Sequence, residues 1–197
     1  TAHADRSAER VAGMGFVALA VDMYGKGRVT EDREQAGKWA GEVRGDAALS
    51  RRRLEAALAA LREVDGADLT RVACIGFCFG GTVSLNAAWS GMDLRAAVSF
   101  HGSLTAPSAE QGPGVRASVL VLHGADDPAV SADSLAAFHA AVREHRLDAV
   151  FVGFAGAVHS FTNPAADGKR SAASKYHETA ARRAWGMAEG FLRERLR

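Results

Sequence analysis

The 197-residue chain predicts an α/β protein, a mostly parallel sheet with helices on both faces. Three observations predict it. Short apolar runs alternate with segments of helical period along the whole chain. Leucines at 54, 58 and 61 repeat with the spacing of one buried helical stripe. The run Arg71-Val72-Ala73-Cys74-Ile75-Gly76 passes straight into a small-residue helix through Gly76-Phe77-Cys78-Phe79-Gly80-Gly81. One domain spanning 1–197, long enough for a sizeable core, is the expected organisation.

The elements follow in order. A helix is predicted over Thr1 to Met14, then a strand over Gly15 to Val21 that leads through Asp22-Met23-Tyr24 into the polar loop Gly25 to Thr30. Helices are predicted over Glu31 to Trp39 and Asp46 to Val64. The Arg51-Arg52-Arg53 cluster in the second points to different helix faces and reads as a solvated surface rather than a nucleic-acid patch. The strand Arg71 to Gly76 and the helix Gly80 to Trp89 come next, then the strand Ala96 to Phe100, ending at His101. Ser103 to Val115, with two prolines and two glycines, has no periodicity of its own and reads as a loop placed to cover a site. Ala117 to His123 and Ala149 to Phe154 are the remaining strands. Ser131 to His145 and Tyr176 to Leu196 are the closing helices.

Composition narrows the function classes. A hydrophobic fraction of 48% and a net charge of +1 argue against nucleic acid or a charged membrane surface as partner. The apolar runs are strand-length, short of the ~20 residues a membrane-crossing helix needs. Cys74 and Cys78 are poorly spaced for a disulfide, which favours a reducing compartment, the cytoplasm. No H-x-x-x-H or C-x-x-C spacing occurs, so neither a metal nor another cofactor is expected.

The chemistry gathers at G-x-C-x-G, the nucleophile-elbow pattern with cysteine in the serine position. A strand that turns sharply into a helix strains the central residue, and flanking side chains would collide. Cys78 then projects its sulfur at the carboxyl end of the sheet. The helix N-terminus favours a thiolate there, and the Phe79 N–H is available to a developing oxyanion. Downstream, Gly124-Ala125-Asp126-Asp127-Pro128 follows a strand end. Asp127 is the candidate to orient an imidazole, with Asp126 its competitor as a turn or capping residue. The loop Ala155 to Phe161 follows the last strand and presents His159, the best placed of seven histidines. His101 belongs near the pocket floor and His123 reads as satisfying a backbone group. His3, His139, His145 and His177 read as solvated on helices. Nucleophile, acid and histidine stand in the order an α/β-hydrolase requires.

Gly76 to Gly81, Leu122 to Pro128, Val158-His159-Ser160-Phe161-Thr162-Asn163-Pro164, Val17 to Gly25 and the tail Tyr176 to Leu192 together resemble the dienelactone hydrolase (carboxymethylenebutenolidase-like) family. The resemblance covers nearly the whole chain. It implies an α/β-hydrolase fold and a Cys78–His159–Asp127 triad that cleaves small esters or lactones through a thioester acyl-enzyme. It also implies a monomer or homodimer whose partner is a small molecule. Tyr24 lies beside the expected entrance. Where founding members hold the substrate carboxylate with two arginines, this chain has Lys26 and Asn163. Neither offers a planar bidentate fork, so a substrate as anionic as a dienelactone is disfavoured. A solvated loop lysine is the equal alternative for Lys26. Family members also carry strands before the first helix. The third lies between the fourth (Gly15 to Val21) and the fifth (Arg71 to Gly76) and feeds the second oxyanion donor. The chain is therefore expected to be N-terminally incomplete, or to receive a strand from another chain. A catalytically inactive small-molecule-binding protein and an acyltransferase using the same triad are the competing functions.

Overall fold

The computed structural model describes residues 2–197, with Arg33 as backbone only. Thr1, expected to open the first helix, lies outside the described residues. The chain forms two compact units, residues 1–70 and 71–197.

The N-terminal unit holds α1 (Ala2–Gly13), α2 (Arg33–Gly45) and α3 (Ala47–Arg62). Side-chain caps start the second and third helices. The Asp32 carboxylate accepts from the Glu34 N–H and the Asp46 carboxylate from the Leu49 N–H. Helix α2 runs past the expected end at Trp39 because Ala40 and Val43 continue its buried stripe. In α3, Leu54 is buried, while Arg51 pairs with Glu55 at 2.8 Å on an exposed flank, as a solvated surface requires.

The strand expected over Gly15 to Val21 is a correction. Residues 15–21 join no sheet among the described residues, and Val17, Leu19 and Val21 stand 44%, 44% and 37% exposed. Apolar alternation supplies side chains for a strand, but a strand exists only where a neighbour completes its backbone hydrogen bonds.

The C-terminal unit holds the sheet. Strands β1 (Ala73–Phe77), β2 (Ala96–Phe100), β3 (Ser118–Gly124) and β4 (Ala149–Phe154) lie side by side in chain order, all parallel. Between and after them run α4 (Phe79–Trp89), α5 (Ala132–Glu144) and α6 (Glu178–Arg195). Register assigns the faces. Ser99, Val121 and Phe151 are aligned partners; Ser99 Oγ presses on Gly81 of α4, and Phe151 lies 5.9 Å from Phe138 of α5. The opposite face carries Phe77, Phe100 and Leu122, and Trp185 of α6 packs on it, 5.0 Å from the Phe100 ring. Helices therefore cover both faces, and β2 is completely buried between them. Removing the Phe100 ring would cost about 3–5 kcal/mol. Loop 103–115 lies along α4: the Thr82 hydroxyl donates to Ser103 O and the Trp89 indole to Thr105 O.

Candidate active site

Four features build the site: the turn between β1 and α4, the end of β2, the turn after β3 and the loop after β4. Cys78 sits at the first turn with φ 53° and ψ −120°, a backbone conformation that non-glycine residues rarely adopt. Close approach explains the glycines unequally. A Cβ on Gly76 would stand 1.8 Å from Gly80 O, and one on Gly81 would stand 2.6 Å from Ser99 Oγ. Gly80 has open space around its Cα, so the expectation that side chains on both flanks collide holds at Gly76 and fails at Gly80. Gly80 is instead the residue whose carbonyl presses on Gly76.

The strained residue is held by long-range bonds. The Cys78 N–H donates to Phe100 O at 3.0 Å and to His101 Nδ1 at 3.2 Å, and Cys78 O accepts from the Gly81 and Thr82 N–H groups. Cys78 itself is exposed. Phe79 supplies the first N–H of α4, immediately after the thiol.

His159 reaches the thiol from the loop after β4. Its Nε2 lies 2.9 Å from Cys78 Sγ and its Nδ1 lies 2.8 Å from Asp127 Oδ2. Gly124 lets that loop cross the end of β3, because a Cβ there would meet Ala157 O at 2.6 Å and Val158 O at 2.7 Å. The Asp126 N–H donates to Ala157 O, Lys175 donates its N–H to His159 O, and His159 donates its own to Ala173 O. Asp126 is thus a backbone tie with an exposed side chain, and Asp127, 4% exposed, is the carboxylate that meets the imidazole. Its second oxygen accepts from the Ala129 N–H at 2.9 Å.

Electrostatics match this chain of contacts. Hydrogen bonding to Asp127 is the largest influence on His159, followed by the bond to Cys78; together they outweigh burial and raise its pKa from 6.5 to about 10. The ring is then an imidazolium near neutrality, donating from Nδ1 to Asp127 and from Nε2 to sulfur, the arrangement that favours a thiolate. Burial pushes the Asp127 carboxyl up, but the His159 bond, the Ala129 N–H and nearby imidazoles pull it below the usual carboxylate range. Burial raises the Cys74 thiol, which lies inside β1.

The other sequence candidates have defined surroundings. Asn163 accepts from the Ala165 N–H through Oδ1 at 3.1 Å. Tyr24 and Lys26 belong to the N-terminal unit, in a loop gathered on one carboxylate: Asp22 accepts from the Tyr24, Gly25 and Gly27 N–H groups. Lys26 is exposed with φ 61°. The Arg28 guanidinium donates to Tyr24 O and stacks 4.8 Å over Trp39. His123 does not satisfy a backbone group as expected: its ring packs on Phe151, and its buried Nδ1 has no hydrogen-bond partner among the described residues. His177 caps α6, accepting from the Ala180 N–H. Sequence reasoning missed Thr162, whose Oγ1 lies 2.8 Å from His101 Nε2; its place three residues after His159 is the signal that could have found it.

Known proteins resemble this chain over most or all of its length. The model of the dienelactone hydrolase family matches residues 1–196. The solved structure of m3DLH superposes with a TM-score of 0.94 at 38% identity, covering 100% of this chain and 82% of that one. The dienelactone hydrolase-like promiscuous phosphotriesterase P91 from metagenomic libraries gives 0.93 at 38% identity with the same coverage. The Caenorhabditis elegans protein K02A2.1 is 38% identical over 147 residues, 72% of this chain and 91% of that protein.

Proposed function

This chain belongs to the dienelactone hydrolase family, a family of hydrolases with the α/β-hydrolase fold, and from that premise we propose that it hydrolyses a small ester or lactone through a thioester on Cys78. The observation that carries the reading is the unbroken line Cys78 Sγ–His159 Nε2 at 2.9 Å and His159 Nδ1–Asp127 Oδ2 at 2.8 Å.

The thiolate of Cys78 attacks the substrate carbonyl carbon, and the carbonyl electron pair moves onto oxygen, where the Phe79 N–H stabilises it. The intermediate collapses, the C–O bond breaks, and the departing alkoxide takes the Nε2 proton of His159. In a lactone that alkoxide stays on the acyl chain. Acylation removes the charge on sulfur, and with it two of the influences that raise the His159 pKa. The neutral imidazole then takes a proton from water, hydroxide attacks the thioester, and the thiolate leaves beside a restored imidazolium. Asp127 holds the ring throughout. From the family pattern alone, Tyr24, Lys26 and Asn163 are proposed as substrate contacts. A thiol nucleophile also suits a reducing compartment.

Similarity to P91 favours a second substrate class, since the same thiolate can attack a neutral phosphotriester. Acyl transfer differs only in the acceptor that meets the thioester. Cys78→Ala tested on para-nitrophenyl esters and a para-nitrophenyl phosphotriester decides the first question. Loss of ester turnover supports the reading, and retained turnover overturns it. Products formed with and without an added alcohol separate hydrolysis from transfer.

A further inference from the structure

Among the groups that the mechanism leaves unused, His101 is the one built into the site from two sides. It follows β2 directly, stands at φ 40°, and is 2% exposed. Its N–H donates to Leu122 O at 2.9 Å. Its ring lies edge-on 5.3 Å from the His159 ring and 5.3 Å from Phe161, with Phe77 at 6.2 Å. Among its neighbours, Cys78 and His159 are titratable, whereas Phe77, Phe161 and Thr162 carry no charge.

The hydrogen bonds settle its tautomer. The Cys78 backbone N–H can only donate, so His101 Nδ1 accepts and carries no proton. The neutral ring therefore bears its proton on Nε2 and donates to Thr162 Oγ1 at 2.8 Å. Thr162 is itself 4% exposed and lies three residues after His159 in the same loop. One imidazole thus ties the backbone of the nucleophile to the loop that carries its base.

We propose that His101 is a positioning residue that bridges the Cys78 N–H to Thr162 as a neutral Nε2–H imidazole, and so sets the reach of His159 Nε2 to Cys78 Sγ. The inference rests on the reading of Cys78 and His159 as the reacting pair. Asp127 fixes the far side of the His159 ring, but it cannot fix the elbow relative to the loop. The bridge does that, and a doubly protonated His101 could not, because its Nδ1–H would oppose the Cys78 N–H. Displacements of an ångström at such a pair are expensive in rate.

Three single variants and one double variant test it. Thr162→Val removes the acceptor and Thr162→Ser restores it. His101→Asn tolerates the left-handed backbone and keeps an acceptor near the Nδ1 position, but it is too short to reach Thr162. Two readouts are taken: ester kinetics, and the rate at which iodoacetamide alkylates Cys78 near neutral pH, read by peptide mass. The expected result is a fall of about tenfold in kcat with KM within about twofold for Thr162→Val and His101→Asn. Cys78 alkylation slows in parallel, Thr162→Ser stays within about twofold of the parent, and the double variant is no worse than either single one. Parent-like kcat and alkylation in Thr162→Val would overturn the bridge, as would fully additive effects in the double variant. Faster alkylation in either single variant would also overturn it, because simple loosening exposes the thiol. If His101→Asn does not fold, the Val and Ser pair at Thr162 decides alone; if Thr162→Val does not fold, His101→Asn decides. Alkylation needs no turnover, so it reads the bridge even if Cys78→Ala were to retain activity and sink the hydrolase reading.

Discussion

Among the turns that hold a non-glycine residue at positive φ, two form a useful pair: Lys26 at 61° in the N-terminal unit and Cys78 at 53° in the C-terminal unit. The first is held locally. Asp22 gathers the Tyr24, Gly25 and Gly27 N–H groups within five residues of itself, and Arg28 closes on the carbonyls of Tyr24 and Gly25. The second is held from a distance, by Phe100, His101, His159 and, through His159, Asp127. Backbone strain alone therefore does not distinguish a reacting residue from an ordinary turn. Convergence of groups from several elements does, because each constrains a different atom of Cys78 or its base.

The contrast can be broken most sharply at the nucleophile. Cys78→Ala is expected to lower kcat by roughly 10⁴-fold or more with the fold retained, measured by ester turnover and circular dichroism. Asp127→Asn should lower kcat by about 10³-fold, because it removes the strongest influence on the His159 ring. That variant also bears on pH. The raised His159 pKa contributes stability that is fully present below 6.5 and lost as pH rises through about 10. In the parent protein, kcat/KM should fall on the alkaline side with a midpoint near that value, and the melting temperature should decline progressively between about 6.5 and about 10. In Asp127→Asn the decline should begin at lower pH; an unmoved alkaline limb would contradict the account.

Smaller effects separate the two turns by what a methyl group meets. Gly76→Ala drives a Cβ into the backbone carbonyl of Gly80 and should cost roughly 3 kcal/mol or more in chemical denaturation. Gly25→Ala meets the Arg53 guanidinium, the far end of a flexible side chain, and should cost about 1 kcal/mol, mostly from its positive φ. Gly80→Ala, with open space at Cα, should stay within about 1 kcal/mol of the parent. Asp22→Ala should cost least, under about 1 kcal/mol, since the N–H groups it releases are solvent-exposed.

Local signals were legible in the sequence, and long-range completion was not. The strands Ala96 to Phe100 and Ala149 to Phe154 have the expected bounds because their apolar runs end in clear turns. The elbow, the turn after β3 and the histidine loop were legible as ordered motifs, and their side chains meet as that order suggests. The segment Gly15 to Val21 shows the limit: its alternation is as strand-like as that of β1, yet pairing depends on a neighbour that its own residues do not encode. The ties of Thr162 to His101 and of His159 to residues 173–175 are equally invisible, since each joins residues that only the fold brings together. Gly80 shows a second limit: a glycine in a pattern does not reveal which partner of a close contact needs the space. No helix of the described residues is long and apolar enough to cross a membrane.

If Cys78 carries the acyl group, rapid-quench mass spectrometry will catch it there. Protein mixed with a para-nitrophenyl ester and quenched in acid should carry one acyl group, located on the peptide containing Cys78, that forms and decays at rates consistent with turnover. Turnover without any adduct on Cys78, or with the acyl group on another residue, would contradict the account.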